Sequence, residues 1–190
     1  MNKAVFLDRD GTINVEKNYL YKKEDFEFLP GVIPALKQLQ AAGYLLIIVT
    51  NQSGIARGYY SEQDFLDLND WIITILAEQG IYISKVYYCP HHPDADNEKY
   101  RVNCECRKPK PGMFLKAKQD FDLDLGACFA IGDKIRDCCI CELTECRGFL
   151  IGNNEKNEVI ERVKTGEFKN VSYAADLFKA AVQIIASENL

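Results

Sequence analysis

The sequence predicts an α/β fold, a central parallel sheet with helices on both faces. Two observations carry that prediction. Short apolar runs alternate with longer segments whose apolar residues recur at helical spacing, the pattern of a sheet buried on both sides. Acidic and other polar residues gather at the carboxyl ends of those runs, where open α/β sheets form their sites.

The first run, Ala4 to Leu7, is too short for a helix and reads as a buried strand. Val15 to Phe28 has no clean period and is expected as a loop. Pro30-Gly31 marks a turn. Val32, Ala35, Leu36, Leu39 and Ala42 then fall at helical spacing, and Gly43 closes that helix. Tyr44 to Val49 is the second strand. Ser61, three residues before Asp64, has the form of a capped helix start. That helix is expected to run to about Glu78, with Phe65, Leu68, Trp71, Ile72, Ile75 and Leu76 inward. Val86 to Tyr88 is a short strand, and an irregular loop spans Cys89 to Lys110. Further elements are expected as a helix over Met113 to Asp120, a strand over Ala127 to Ile131 and a helix starting near Asp137. A strand over Gly148 to Ile151, a helix over Glu155 to Lys164, a strand over Val171 to Tyr173 and a helix over Ala174 to Ala186 complete the chain.

The 190 residues suit one domain spanning residues 1–190, long enough for a sizeable core. A net charge of -5 argues against nucleic acid as a partner, so an anionic substrate needs a local positive site. No apolar run approaches the roughly 18 residues of a membrane span, and the chain enters a strand almost at once, so neither a membrane segment nor a signal peptide is expected. The eight cysteines are then expected in a reducing cytoplasm, where metal binding is favoured over disulfides.

Asp8 and Asp10 follow the first strand two residues apart, so both can face one small volume. Like charges so close repel unless a cation lies between them or one carries a proton. Either remedy suits phosphoryl transfer, with one carboxylate as nucleophile and the other as acid and base. The ordinary alternative is a strand end followed by an Asp-Gly turn. Three more polar segments weigh against it: Thr50 to Ser53, Lys108 and Asp133. A hydroxyl and backbone amides bind phosphoryl oxygens, a lysine neutralises them, and a further acid completes an oxygen site for Mg²⁺. Cys89-x-His91 and Cys104-x-Cys106 form a second constellation, three thiolates and an imidazole suited to a structural Zn²⁺. His92 competes with His91 as ligand, and Lys110 with Lys108 as the phosphoryl-neutralising lysine. Cys128, Cys138, Cys139, Cys141 and Cys146 read as small, partly buried apolar side chains. The Tyr59-Tyr60 and Tyr87-Tyr88 pairs are expected to split between core and surface.

Asp8-Arg9-Asp10-Gly11-Thr12, Thr50-Asn51-Gln52, Arg107-Lys108-Pro109 and Gly132-Asp133-Lys134 resemble, in order, the four motifs of the haloacid dehalogenase-like phosphatases. Gln52 to Gly58 and the cysteine loop narrow the resemblance to a branch acting on small phosphorylated sugars, near the histidinol-phosphate phosphatases. The resemblance implies a Rossmann-like haloacid dehalogenase fold with no large cap domain and a zinc loop at about 89–110. It implies Asp8 as nucleophile, Asp10 as acid and base, and Thr50 and Lys108 at the transferring phosphoryl group. It implies Mg²⁺ held by Asp8, Asp133 and the Asp10 carbonyl, and zinc held by Cys89, His91, Cys104 and Cys106. Glu16, Lys17, Asn18, Tyr19, Asn51, Gln52, Ser53, Arg57, Arg107 and Lys134 would surround a phosphorylated sugar. The protein is expected to act as a cytoplasmic monomer, without nucleic acid or membrane as partner. Two competitors are a histidinol-phosphate phosphatase and a silent binding protein of the same fold, against which the clustered charges argue.

Overall fold

The computed structural model describes residues 1–188. Its six strands are β1 (Ala4–Leu7), β2 (Leu45–Asn51), β3 (Ile83–Cys89), β4 (Phe129–Gly132), β5 (Arg147–Ile151) and β6 (Val171–Ala174). They form one parallel sheet in the order β3-β2-β1-β4-β5-β6. The helices are α1 (Val32–Ala41), α2 (Ser53–Ala56), α3 (Glu62–Glu78), α4 (Gly112–Phe121), α5 (Ile140–Leu143), α6 (Asn157–Lys164) and α7 (Leu177–Ser187). From β1 the chain runs outward to β2 and β3, then crosses back to β4 on β1's other side. The carboxyl ends of β1 and β4 therefore flank the crevice where the strand order reverses, which is where such sheets bind ligands.

The alternating side chains of each strand feed two cores. Val5, Leu7, Leu46, Ile48, Phe129 and Ile131 pack on one face with residues of α1, α3 and α7. Ala4, Phe6, Ile47, Val49, Ala130 and Leu150 pack on the other with residues of α4 and α6. Phe6 meets Phe114 edge to face at 5.1 Å, which fixes α4 against the sheet. Each large side chain buried this way contributes about 1.5–3 kcal/mol. A third, smaller cluster joins Ile55, Ala56, Tyr60 and Phe65 to Ala95 and Tyr100, and so seats the cysteine loop on the segment after β2.

The expected α3 is present with its capping box: the Ser61 hydroxyl accepts from Asp64 N at 3.1 Å, and Asp64 accepts from Ser61 N at 2.8 Å. Phe65, Leu68, Ile72 and Leu76 are buried, while Trp71 and Ile75 are only partly covered. Several boundaries differ from the sequence expectation. The strand expected from Ala127 starts at Phe129, because Asp124 caps a 3-10 turn over Leu125–Ala127. The helix expected from Ala174 starts at Leu177, where Asp176 accepts from Lys179 N at 2.7 Å. The helix expected near Asp137 is a 3-10 turn, Ile135–Cys138, followed by the single turn α5. β3 is longer than expected and carries Cys89 at its carboxyl end. Cys128, Cys138, Cys141 and Cys146 are buried and Cys139 is partly buried, as the sequence predicts. Tyr60 and Tyr87 lie inside, Tyr59 is exposed and Tyr88 is half-buried.

Candidate active site

The crevice holds a cavity of about 430 Å³, a size suited to a small ligand. Its floor is acidic. Asp8 leaves β1, Asp133 follows β4, and Asp137 comes from the 3-10 turn after it. Carboxylate oxygens of all three lie within 4.8 Å of one another, and the set is chemically suited to a hard cation. Gly11 makes this approach possible. At φ +83° it lies against Asp133, and a Cβ there would meet Asp133 Oδ2 at 2.3 Å. Asn154 orients that carboxylate by donating to Oδ2 at 3.1 Å.

Lys108 is buried beneath the floor, and its ammonium is fully used. It donates to Asp8 Oδ1 at 2.8 Å, to the Val49 carbonyl at 2.6 Å and to Asp137 Oδ1 at 2.7 Å. Burial opposes its charge, but Asp137 and Asp8 outweigh burial and keep it firmly protonated. Burial pushes Asp8 up from 3.8 to about 7; Lys108 resists the shift, and Asp137, Asp133 and Asp10 add to it. Burial, then Asp137, push Asp133 up to about 6. Three carboxylates against one ammonium leave the floor acidic.

Asp10 faces the same crevice from the turn after β1. Arg9 donates to both its oxygens, at 3.0 Å and 3.1 Å from Nη2 and 3.2 Å from Nε. Asn14 donates to Oδ1 at 3.0 Å and Gln52 to Oδ2 at 2.9 Å. Thr50 lines the same wall, at the end of β2. The rim is cationic, with Arg57, Arg107, Lys134 and Arg136 around the opening. Burial, joined by the neighbouring Arg136 and Arg57 charges, holds Arg107 below the ordinary guanidinium value while the Cys89 and Cys104 sulfurs oppose the shift.

Glu16, Asn18, Tyr19, Asn51, Gln52, Ser53, Arg57, Arg107 and Lys134 all line the cavity. Lys17 is the exception and is not among the lining residues. Its ammonium turns away to Glu27 at 3.4 Å, so it lies outside the wall. Lys108 and not Lys110 reaches the floor; Lys110 pairs on the surface with Glu105 at 2.9 Å. Sequence reasoning missed Arg136 and the site role of Asp137, and it set the Tyr59-Tyr60 pair down as split between core and surface although Tyr60 also lines the cavity. Asp137 was legible as a helix-start acid, and it does accept from Lys134 N at 3.0 Å. Its second role, bracing Lys108, needs the folded chain.

The cysteine loop closes on one point. Cys89 Sγ lies 3.5 Å from Cys104 Sγ, and Cys106 Sγ lies 3.1 Å from Cys104 Sγ. His91 Nδ1 is 3.5 Å from Cys106 Sγ and 3.9 Å from Cys89 Sγ. A tetrahedral zinc with bonds of about 2.3 Å to sulfur and 2.0–2.1 Å to nitrogen has edges of roughly 3.6–3.8 Å. The 3.5–3.9 Å separations lie near that figure, and the Cys104–Cys106 pair at 3.1 Å is shorter than it. Hydrogen bonding from Cys89 draws the Cys106 thiol down to about 5, favouring the thiolate a metal needs. His92 is outside the cluster, its Nε2 facing Arg57 Nη2 at 3.2 Å.

Fold and site together define a phosphatase of the haloacid dehalogenase type. The family model described as polynucleotide kinase 3 phosphatase matches residues 3–169. A D-glycero-beta-D-manno-heptose-1,7-bisphosphate 7-phosphatase of Pasteurella multocida is 46% identical over 167 residues, covering 88% of this chain and 84% of its own. The enzyme of that name from Photorhabdus laumondii is 52% identical over 134 residues, 70% of this chain and 71% of its own. Among solved structures, the D,D-heptose 1,7-bisphosphate phosphatase of B. bronchiseptica, complexed with magnesium and phosphate, superposes with a TM-score of 0.79. It is 28% identical and covers 98% of this chain and 99% of its own. The chain belongs to the haloacid dehalogenase-like phosphatase family that contains the D-glycero-beta-D-manno-heptose-1,7-bisphosphate 7-phosphatases.

Proposed function

We propose that this phosphatase removes the 7-phosphate of D-glycero-beta-D-manno-heptose 1,7-bisphosphate, a step in ADP-heptose synthesis for the lipopolysaccharide core. The observation that carries the reading is the pairing of an acidic, lysine-braced floor with a cationic rim, in a cavity sized for one small sugar. The floor suits the reacting phosphoryl group with its cation, and the rim suits a second phosphate. The relatives' names supply the sugar.

In this reading Asp8 attacks phosphorus and the bond to the sugar oxygen breaks, leaving a phosphoryl group on Asp8. Asp10 gives its proton to the departing alkoxide. It then takes a proton from the water that attacks the phosphoryl-aspartate, releasing phosphate and restoring Asp8. Lys108 holds Asp8 in place and offsets charge as it develops, and Thr50 offers its hydroxyl to a phosphoryl oxygen. Asp8, Asp133 and the Asp10 carbonyl would hold Mg²⁺, whose charge neutralises the phosphoryl oxygens. Zinc on Cys89, His91, Cys104 and Cys106 would cross-link a loop that has little apolar core of its own. The chain works as a single domain and a cytoplasmic monomer.

The test is phosphate release with Mg²⁺ from both heptose bisphosphate anomers, histidinol phosphate and fructose 1,6-bisphosphate. The beta heptose substrate is expected to give the highest kcat/KM, and Asp8→Asn is expected to abolish turnover with the melting temperature retained. A preference for histidinol phosphate would overturn the heptose assignment. Substantial turnover by Asp8→Asn would overturn the covalent route.

A further inference from the structure

Gln52 lies on the cavity wall, yet its side chain has nothing left to offer a substrate. The residue is 2% exposed. Its Nε2 donates to Asp10 Oδ2 and to Thr50 Oγ1, each at 2.9 Å. Its Oε1 accepts from Tyr60 Oη at 2.6 Å and from Arg9 Nη2 at 3.5 Å. Both amide hydrogens are therefore engaged, and the carbonyl accepts a short bond from Tyr60 and faces Arg9 at the limit of hydrogen-bond distance. The orientation is chemically determined. A guanidinium only donates, so a flipped amide would set NH₂ against Arg9 Nη2.

We propose that Gln52 and Tyr60 are positioning residues for the acid–base and phosphoryl-binding groups, and that Gln52 does not bind substrate. The relay runs from the Tyr60 hydroxyl through the Gln52 amide to Asp10 and Thr50. Gln52 holds one oxygen of Asp10, so the carboxylate keeps a fixed rotation toward the crevice. By donating to Thr50 Oγ1 it occupies that oxygen as acceptor and leaves the Thr50 proton free to point at a phosphoryl oxygen. One planar amide thus sets two groups that act on the same phosphorus.

Tyr60 is itself well held. Its ring stacks on Tyr21 at 5.4 Å and packs with Phe65, Ala95 and Tyr100. Gly54 makes room for it: a Cβ there would meet Tyr60 Cε1 at 2.2 Å. Burial pushes the phenol further up, so the hydroxyl stays a donor. Ala95 and Tyr100 belong to the cysteine loop, so the order of that loop reaches Asp10 through the Tyr60 ring.

The inference rests on the reading of Asp10 as acid and base, and the experiment separates the two. Tyr60→Phe removes only the hydroxyl, and Gln52→Met keeps length while removing the amide. Single-turnover phosphorylation is measured with an alkyl phosphate, whose leaving oxygen needs a proton, and with p-nitrophenyl phosphate, whose leaving group does not. Steady-state kcat and KM are measured alongside, with Asp10→Asn as reference. The relay predicts kcat on the alkyl phosphate down about tenfold for Tyr60→Phe and about a hundredfold for Gln52→Met, within the range of acid–base catalysis. KM should be nearly unchanged; phosphorylation by p-nitrophenyl phosphate should be largely spared in Tyr60→Phe and should fall much less than the alkyl reaction in Gln52→Met, which also releases Thr50. A raised KM with kcat retained would overturn the proposal, as would equal losses with both leaving groups. Should Tyr60→Phe fail to fold, Gln52→Met carries the same contrast. An Asp10→Asn enzyme with normal alkyl-phosphate turnover would sink the acid–base reading itself. A normal Asp10→Asn defect, with the other two variants unimpaired, would sink the relay alone.

Discussion

Asn51 grips the peptide groups of Lys108 from both sides: its Oδ1 accepts from Lys108 N and its Nδ2 donates to Lys108 O, each at 3.0 Å. The two residues are 57 positions apart. The clamp ties the end of β2 to the loop that delivers the lysine, so the ammonium enters the floor on a fixed backbone. Asn51 lines the cavity, but both ends of its amide serve Lys108.

Asn51→Ala is therefore expected to act through Lys108. Two hydrogen bonds at about 0.5–1.5 kcal/mol each predict roughly a ten- to hundredfold loss of kcat/KM. The decisive measurement is a double-mutant cycle on kcat. In a Lys108→Ala background the same substitution should cost little, because the group it positions has gone. Full additivity would mean that Asn51 works on the substrate directly.

The raised carboxyls give a signed pH prediction. Asp8 and Asp133 hold protons more tightly folded than unfolded, their ordinary value of 3.8 being pushed to about 7 and about 6. Folding then favours the protonated form. Their contribution to stability is fullest below about pH 4 and falls as pH rises toward 7. On the proposed reading a divalent cation would bind the ionised floor, so its stabilisation should grow over the same window. Thermal melts from pH 4.5 to 8, with chelator and with Mg²⁺, check this. Asp8→Asn should flatten the wild-type slope in chelator; an unchanged slope would remove Asp8 as its source. The same mild chelation should leave about one zinc per chain on the cysteine cluster.

Much of this arrangement was legible in the sequence, for identifiable reasons. Ala4 to Leu7 and Gly148 to Ile151 announce themselves because strands buried on both faces must be continuously apolar. The α3 cap is legible because Ser61 and Asp64 interact within one turn. Cys89, His91, Cys104 and Cys106 stand out because few jobs need soft ligands at such spacing. What could not be read depends on contacts across the chain. Lys17 shares the charge and neighbourhood of the wall residues, and its ammonium is found beside Glu27 instead of in the wall. Arg136 is an ordinary exposed-looking arginine until its turn places it on the rim. Gln52 and Asn51 sit inside a recognisable motif, yet motif membership does not distinguish an amide that touches substrate from one that holds a neighbour.

Substrate choice is expected to depend most on Arg107. A bisphosphate carries two anionic groups, and in the proposed reaction Asp8 attacks only one. The other needs a cation that takes no part in bond breaking. Arg107 lines the cavity beside Lys108, and its Nη1 donates to the His91 carbonyl at 3.3 Å. Cys106 precedes it, so two ligands of the proposed zinc site fix both the backbone it leaves and the carbonyl it leans on. A guanidinium so held presents its remaining N–H groups to the opening with little entropy to lose, and it matches phosphate oxygens in pairs. Arg107→Ala is expected to lower kcat/KM for the heptose bisphosphate by roughly 1.5–3 kcal/mol, about ten- to a hundredfold, the worth of a hydrogen bond to a charged group. A simple monophosphate such as p-nitrophenyl phosphate should lose far less, because it lacks the second anion. Arg57→Ala should shift the ratio in the same direction and by less, since Arg57 also contacts His92. Equal losses on both substrates would place Arg107 at the transferring phosphoryl group instead, and would leave the second phosphate to Lys134 and Arg136.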